Sequence, residues 1–229
     1  MSTFDTEFLL RIHTLMMSRF GDPGWWPGES RFEISLGAIL TQNTSWVNVE
    51  AAIINLNDRD LMDPKKILYG DFDEISEAIR PAGYYNQKTR YLKNFSESFI
   101  DIWGGDFDRM SRDHVHETRK NLLRMKGIGK ETADSILCYA LDKPVFVVDA
   151  YTFRIFSRLD PGGMENILSG PGPDYDKLSG LVMERCRGDS VLYNRFHALL
   201  VLLGKEYCRK SPTCRYCPLV KSCQYHLGM

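Results

Sequence analysis

Apolar residues recur every three or four positions along most of this chain, and this helical period is the feature that most limits its fold. Val145–Val148 is a short run that could be a strand, but it has no partner nearby, and we interpret it as a buried connection or the entry to a helix. Turn-forming residues separate the periodic segments, as at Pro81-Ala82-Gly83 and Gly127-Ile128-Gly129. The pattern therefore predicts an all-α protein, with helices that include residues 36–40, 75–79, 91–102, 132–141 and 191–203.

Charge and length narrow the class of protein further. The 229 residues allow one large domain or two small ones, and such a chain can bury a core without disulfides. With 29 basic and 30 acidic residues the net charge is −1, which excludes a generally polycationic protein. A nucleic-acid partner would need a local basic surface. Three stretches offer one: residues 80–93 and 119–130 contain no acid, and residues 205–221 contain a single acid, Glu206.

The N-terminus has no basic start followed by an apolar stretch, so we expect no secretory signal. The longest fully apolar run, Ala198–Leu203, is far too short to span a bilayer. We therefore expect an intracellular, cytoplasmic protein without a membrane partner, whose thiols stay reduced.

Four of the six cysteines crowd into the last 22 residues. Four thiolates on one short loop can surround a single soft metal centre. A [4Fe–4S] cluster takes four such ligands, and zinc is the alternative, although four-cysteine zinc sites usually contain two C-x2-C pairs. The spacing favours the cluster and leaves zinc open, with the ligands in the pattern C-x5-C-x2-C-x5-C: Cys208, Cys214, Cys217 and Cys223.

A tight glycine turn opens a helix in the middle of the chain. Gly127 and Gly129 let the backbone bend and approach a ligand, and Lys126 and Lys130 flank the turn. Amides at such a turn attract anions. Farther along, Asp149 follows four apolar residues, where burial of a carboxylate is costly unless it is paired or used. It could also cap a helix N-terminus, and the two roles are compatible.

Together, the glycine hairpin, the downstream Val148-Asp149 and the four-cysteine loop resemble the helix-hairpin-helix DNA glycosylases of the endonuclease III superfamily. The resemblance implies a [4Fe–4S] cluster in the loop of residues 208–223 and two helical lobes. One lobe would comprise residues 25–135, and the other would join residues 1–24 to 136–229. It implies that Asp149 is the catalytic residue and that Gln42 enters the gap left by a flipped base. The DNA-binding residues would be Gln42, Lys126, Gly127, Gly129 and Lys130.

Within that superfamily the chain is most similar to the endonuclease III-type 3-methyladenine DNA glycosylases. The matching segments are Trp25-Trp26-Pro27, residues 36–44, residues 80–88, residues 126–131 and Arg195-Phe196-His197. The resemblance implies a pocket for a damaged base, lined by aromatic rings. The residues assigned to it are Trp25, Trp26, Pro27, Trp46 and Glu131. Alkylated purines are cationic leaving groups, and indoles hold cations well. We therefore expect a monomeric enzyme of base excision repair that flips alkylated purines out of double-stranded DNA and hydrolyses the N-glycosidic bond.

Two positions depart from the family pattern. The gap between the first two cysteines is five residues, where the family has six. Glu131 stands where bifunctional members carry a nucleophilic lysine, and a carboxylate cannot form a Schiff base. This predicts a monofunctional enzyme without lyase activity. Activity on another base (uracil, mispaired or oxidised) and a non-catalytic DNA-binding clamp are the alternatives, and Asp149 argues against the clamp.

Overall fold

The computed structural model describes residues 4–168 and 171–228, and within these ranges all regular secondary structure is helical. The predicted all-α class is therefore confirmed for the part of the chain that is described. Short 3-10 turns cover Arg80–Ala82, Cys214–Tyr216 and Val220–Ser222. The α-helices in chain order are α1 (Thr6–Phe20), α2 (Arg31–Leu40), α3 (Trp46–Asp58), α4 (Pro64–Tyr69), α5 (Phe72–Ala78), α6 (Tyr85–Trp103), α7 (Phe107–Arg112), α8 (Val115–Arg124), α9 (Lys130–Ser135), α10 (Ala150–Leu159), α11 (Glu165–Leu168), α12 (Tyr175–Cys186), α13 (Ser190–Glu206) and α14 (Gln224–Leu227).

Acidic and hydroxyl side chains determine where many of these helices begin. A side-chain oxygen just before the helix accepts a hydrogen bond from an amide of the first turn, which would otherwise have no partner in the helix. The capping residues are Asp5, Ser30, Asp63, Asp71, Asp106, Asp149, Asp174 and Asp189. The candidate catalytic residue Asp149 is therefore also a helix cap.

The chain divides into two compact units, one formed by Met1–Trp25 with Pro144–Met229 and the other by Trp26–Lys143. Residues 136–143 belong to the central unit, because they continue directly from helix α9. Each unit has its own aromatic core. Phe32, Phe95 and Phe99 stack in succession in the central unit. Phe146 packs edge-on against Phe196 in the other unit.

The connection before α10 is buried and irregular. Val145, Phe146, Val147 and Val148 are at most 4% exposed and lie in no strand. The interpretation of this run as a buried connection is confirmed. This buried run leads directly to Asp149. None of the helices in residues 4–168 and 171–228 is long and apolar enough to cross a membrane.

Helix α9 continues into a π-helical turn, Ile136–Ala140, where the sequence pattern predicted one regular helix over residues 132–141. Every residue of this turn is buried. π-Turns are rare and occur frequently at functional sites. Here the turn carries Tyr139, whose ring stacks on Trp26.

Candidate active site

Asp149 is a nearly buried carboxylate whose two oxygens have different surroundings. Oδ1 accepts hydrogen bonds from the backbone amide of Thr152 at 2.7 Å and from its hydroxyl at 2.8 Å. Oδ2 lies 3.7 Å from Nε2 of His197, and the side chains of Asp149 and His197 are 11% and 7% exposed. Burial by itself would raise the pKa of Asp149, but the contacts with His197 and Thr152 outweigh it and lower the pKa. The carboxylate is therefore held ionised in a largely dry place.

His197 is a site residue that the sequence reasoning missed. It lies in α13 between Phe196 and Ala198, in a run of buried residues, and looks like a core position. Its position in the sequence, 48 residues from Asp149, gives no sign that the two side chains meet. Two signals were available: His197 lies in the segment Arg195-Phe196-His197 that carries the family resemblance, and a polar residue inside an apolar helical run needs a partner.

A cavity of about 310 Å³ opens in the central unit between α2 and α3. The indoles of Trp26 and Trp46 both line this cavity. They meet edge to face, with ring centroids 4.8 Å apart. The ring of Tyr139 stacks on the indole of Trp26, with ring centroids 5.2 Å apart. The full lining comprises Trp26, Pro27, Gly28, Glu29, Glu33, Gly37, Trp46, Glu50, Ile53, Ile54 and Asn57.

The structure thus brings together three of the residues assigned to the base pocket: Trp26, Pro27 and Trp46. Two others lie elsewhere. Trp25 is the last residue of the N-terminal segment that belongs to the other unit, and Glu131 is exposed in the first turn of α9. Neither is among the described residues that line this cavity.

Three glutamates in the cavity wall were not predicted. Glu29 and Glu50 are exposed, and Glu33 is half-buried. Burial raises the pKa of Glu33, and the negative charge of Glu29 adds to the rise, while hydrogen bonds involving Glu29 and Asn57 oppose it. Indole faces and carboxylates both favour a positively charged aromatic guest.

The backbone and its surroundings require glycine at one of the two hairpin positions but not at the other. Gly127 has a φ of +102°, and an added Cβ would clash with the Tyr91 ring, so only glycine fits. Gly129 has an ordinary φ of −91° and caps α9, and an added Cβ would meet no atom within 4 Å. The space beside Gly129 is therefore open to a ligand. Lys126 and Lys130 on either side are exposed.

Gln42 links the end of α2 to this hairpin. Its Nε2 donates to the carbonyl oxygen of Gly127 at 2.9 Å and contacts Oγ1 of Thr132 at 3.1 Å. The side chain is therefore held by the hairpin in this structure, although the residue is half-exposed.

The linear count of basic residues overstated the basic surface. In the stretch 80–93, Lys88 is 2% exposed and donates to carbonyls, as does Lys93, and Arg80 pairs with Glu77 at 3.1 Å. Lys88 and Lys93 are thus turned inward, contrary to the sequence expectation, whereas Arg80 and Arg90 are exposed.

The other two basic stretches, residues 119–130 and 205–221, keep more of their positive charges at the surface. Arg119 forms two hydrogen bonds to the buried carboxylate of Asp134, at 2.7 and 3.1 Å, and its side chain is 25% exposed. The other charges near the hairpin remain outside. In the stretch 205–221 every basic residue is exposed, namely Lys205, Arg209, Lys210, Arg215 and Lys221.

The four cysteines of residues 208–223 are half-buried and form no disulfide. Burial raises the pKa of the Cys217 thiol to about 11, and the nearby thiols of Cys208, Cys223 and Cys214 add to the rise. Thiols that influence one another in this way lie close together. Within the described residues, however, no three His, Cys, Asp or Glu side chains are arranged to hold a metal ion. Four thiols close to one another are the donor set of a soft metal.

Two arginines of α10 hold this loop in place. Arg154 donates from Nε to the carbonyl of Cys208 at 2.7 Å. Arg158 donates to the Cys208 sulfur at 3.2 Å, and its own carbonyl accepts from the Cys223 thiol at 3.3 Å. The first and last cysteines thus contact the same helix that begins after Asp149.

Residues 36–165, more than half of the chain, match the family model of the HhH-GPD superfamily of base excision DNA repair proteins. The chain belongs to this superfamily. Among its relatives is a protein of Methanocaldococcus jannaschii that is named as a candidate DNA repair glycosylase. The two are 43% identical over 218 residues, which cover 95% of this chain and 96% of the relative. An endonuclease III of Sulfolobus acidocaldarius is 30% identical over 198 residues, or 86% and 82% of the two chains.

Solved structures agree with this assignment. The 3-methyladenine DNA glycosylase MagIII of H. pylori, solved with bound 1,N6-ethenoadenine, superposes with a TM-score of 0.73 at 32% identity, covering 88% of this chain and 97% of that one. An endonuclease III–DNA complex superposes with a TM-score of 0.78 and covers 97% of both chains, but at 19% identity it supports the fold alone. The predicted endonuclease III-like glycosylase family is therefore confirmed.

Proposed function

We propose that this HhH-GPD protein is a monofunctional DNA glycosylase that removes cationic alkylated purines, such as 3-methyladenine, from double-stranded DNA. The observation that carries the proposal is the cavity in which Trp26 and Trp46 stand together with carboxylates. The similarity to MagIII, a 3-methyladenine glycosylase at 32% identity, supports the same substrate class.

The cavity can favour a cationic base over a neutral one. Stacking on an aromatic ring contributes about 1–3 kcal/mol for any base. A desolvated cation adds ~2 kcal/mol through the ring quadrupole, and indole is the best ring for this. A positive guest would also favour the ionised form of Glu33, whose pKa burial now raises. These contributions all increase with positive charge on the base.

Asp149 would act on the sugar. When the bond between C1′ and the purine nitrogen breaks, its electrons neutralise the departing cationic base, and positive charge develops on the sugar. A fixed carboxylate stabilises that charge, and it can accept a proton from the water that then bonds to C1′. The lowered pKa of Asp149 ensures that the carboxylate is ionised when it is needed.

Glu131 accounts for the monofunctional part of the proposal. It lies in the first turn of α9, next to the exposed Lys130, at the position where the family resemblance puts the lysine of bifunctional members. A carboxylate has no nitrogen with which to form a Schiff base with the sugar. Base release would therefore end at an abasic site.

The hairpin and Gln42 would contact DNA. Lys126 and Lys130 are exposed beside the open space at Gly129, so a phosphate can approach the backbone there. Gln42, joined to the hairpin through Gly127, would fill the gap left by the flipped nucleotide.

The cysteine loop would hold a [4Fe–4S] cluster, with zinc as the alternative. Cys208, Cys214, Cys217 and Cys223 would be the ligands, because they form a histidine-free set of thiols close to one another. When bound, the group would cross-link the C-terminal loop. Arg154 and Arg158 would then join that loop to α10.

The deciding experiment measures base release from duplexes that carry one 7-methylguanine, 3-methyladenine, 1,N6-ethenoadenine, uracil or G·T mismatch. Each reaction is analysed with and without hot alkali, and in parallel with borohydride. We expect release of the cationic purines, strand breaks only after alkali and no trapped complex. Asp149→Asn serves as the inactive control.

Faster release of uracil or mispaired thymine than of the alkylated purines would contradict the substrate class. A borohydride-trapped complex would contradict monofunctional chemistry and make Lys130 the first candidate nucleophile. DNA binding without release of any base would favour the non-catalytic clamp.

A further inference from the structure

We propose that His197 is a positioning residue of the reaction, which keeps the Asp149 carboxylate ionised and fixed in orientation. The proposal rests on the function proposed above, because it concerns the same carboxylate. It assigns a role to a side chain of α13 whose segment, Arg195-Phe196-His197, carries the family resemblance but was given no role from the sequence.

The geometry of Asp149 leaves one oxygen for this role. Thr152 holds Oδ1 through its amide and its hydroxyl, at 2.7 and 2.8 Å. These two bonds fix one edge of the carboxylate at the start of α10. Oδ2 is left on the side of His197, with Nε2 at 3.7 Å. The carboxylate is thus held between its own helix and α13.

Burial of Asp149 makes its contact with His197 important for keeping the carboxylate ionised. A carboxylate that is 11% exposed tends to take up a proton, since its charged form loses water. A neutral Asp149 could neither stabilise positive charge on the sugar nor accept a proton from water. Thr152 donates two hydrogen bonds to Oδ1, whereas the imidazole of His197 lowers the pKa of Asp149 from the side of Oδ2.

The neighbouring charged groups are engaged elsewhere. Arg195, on the same helix, pairs with Asp22 at 2.6 Å. His13 of α1 stands edge-on to Phe196, and burial, together with the charge of Arg195, lowers its pKa. The titratable group that faces Asp149 from the packed helix α13 is therefore His197.

A pH profile separates this role from a purely structural one. Single-turnover release of 7-methylguanine is measured from about pH 5 to pH 9 for wild type, His197→Leu and His197→Gln. Without the imidazole, burial prevails and the pKa of Asp149 rises, so the acidic limb of the profile should move to higher pH. We expect about a tenfold loss of rate at the acidic end, a much smaller loss at the alkaline end, and an intermediate profile for His197→Gln, which retains an uncharged donor.

Phe196→Leu is the matched control. It loosens the packing of the adjacent position of α13 against Phe146 without changing the charge near Asp149. We expect a lower melting temperature for this variant. The acidic limb of its pH–rate profile should lie at the same pH as in the wild type. If His197→Leu lowers the rate equally at every pH, or leaves the profile unchanged, the positioning role is wrong. If His197→Leu does not fold, the pH–rate profile of His197→Gln is the test, and the same outcomes contradict the positioning role.

A readout that needs no activity distinguishes failure of this inference from failure of the proposed function. The carboxyl carbon of Asp149 is followed by NMR during an acid titration of wild type and His197→Leu, and is assigned by its absence in Asp149→Asn. We expect the titration midpoint to move upward in His197→Leu. If alkylated purines are not released but the midpoint still moves, the proposed substrate is wrong and the inference stands. An unmoved midpoint overturns the inference whatever the substrate.

Discussion

The side-chain amide of Gln42 donates to the backbone carbonyl of Gly127, 2.9 Å away, and so joins the loop after α2 to the glycine hairpin. Gly127 is the one hairpin glycine that needs a positive φ, and its neighbour Tyr91 leaves no room for a Cβ. The bond therefore couples Gln42 to the most constrained residue of the turn. Any movement of the Gln42 side chain away from the hairpin must break this bond.

Gln42→Ala should weaken both the hairpin and DNA binding. Loss of one half-buried hydrogen bond costs about 1 kcal/mol of unfolding free energy, and a similar loss in binding is about fivefold in affinity. Denaturant unfolding and fluorescence anisotropy with an abasic-site duplex measure the two effects. Asn55→Ala is the control, since it removes a hydrogen bond of the same kind within the same unit. There the side-chain amide of Asn55 donates to the Ala78 carbonyl at 2.8 Å. If both variants lose the same affinity, Gln42 has no special part in binding.

Asp149→Asn should abolish base release while the helix and DNA binding persist. Asparagine caps a helix as well as aspartate does, so Thr152 keeps its partner, but the negative charge is lost. The expected fall in single-turnover rate is about 10²–10⁴-fold. Asp189→Asn makes the same change at the exposed cap of α13 and should leave the rate unchanged. Retained release in Asp149→Asn would remove this residue from the chemistry.

The sequence predicted local features well and distant contacts poorly. Helical period and capping residues act within a few positions, so the all-α class and the start of α9 after Gly129 could be predicted. The partner of Asp149 could not, because His197 comes from a distant helix and lies in an apolar run. Nor could the inward direction of Lys88 and Lys93, since a linear count of charges contains no information about where a long side chain ends.

Trp46→Ala should reduce release of 7-methylguanine by about one to two orders of magnitude. A lost cation–π contact of ~2 kcal/mol is roughly thirtyfold in rate when it acts at the transition state. Trp46→Phe, which keeps a smaller ring, should lose less. Tyr69→Ala removes a 77% exposed aromatic side chain of the same unit and serves as the control. An unchanged rate in Trp46→Ala would show that the indole pair does not hold the base.

The purified protein should be brown, with the broad visible absorption of an iron–sulfur cluster. Cys217→Ser should remove the colour and reduce DNA affinity more than it lowers the melting temperature, because the loop lies near the end of the chain. Cys186→Ser, which changes a thiol outside the loop, should keep the colour. Elemental analysis decides the metal: one zinc and no iron would make the cluster assignment wrong.

Lys88 should make stability depend on pH in the alkaline range. Lys88 is 2% exposed, and its ammonium donates to the carbonyls of Leu40 and Ala82 at 2.7 and 2.8 Å, so it closes the end of α2 next to Gln42. Burial lowers its pKa from 10.5 to about 8. Between these values the unfolded chain holds a proton that the folded protein has released, so unfolding binds a proton and stability rises with pH.

Lys88→Met tests this directly, because methionine fills similar space without a titrating group. Below about pH 8 Lys88 is protonated in both states, and the difference in unfolding free energy between wild type and variant should be constant. From there to pH 10.5 the difference should shift steadily in favour of the wild type. Urea unfolding at a series of pH values measures it. A flat difference across this window, or one that shifts toward the variant, would show that the buried ammonium stays charged and that its carbonyl contacts offset the loss of water.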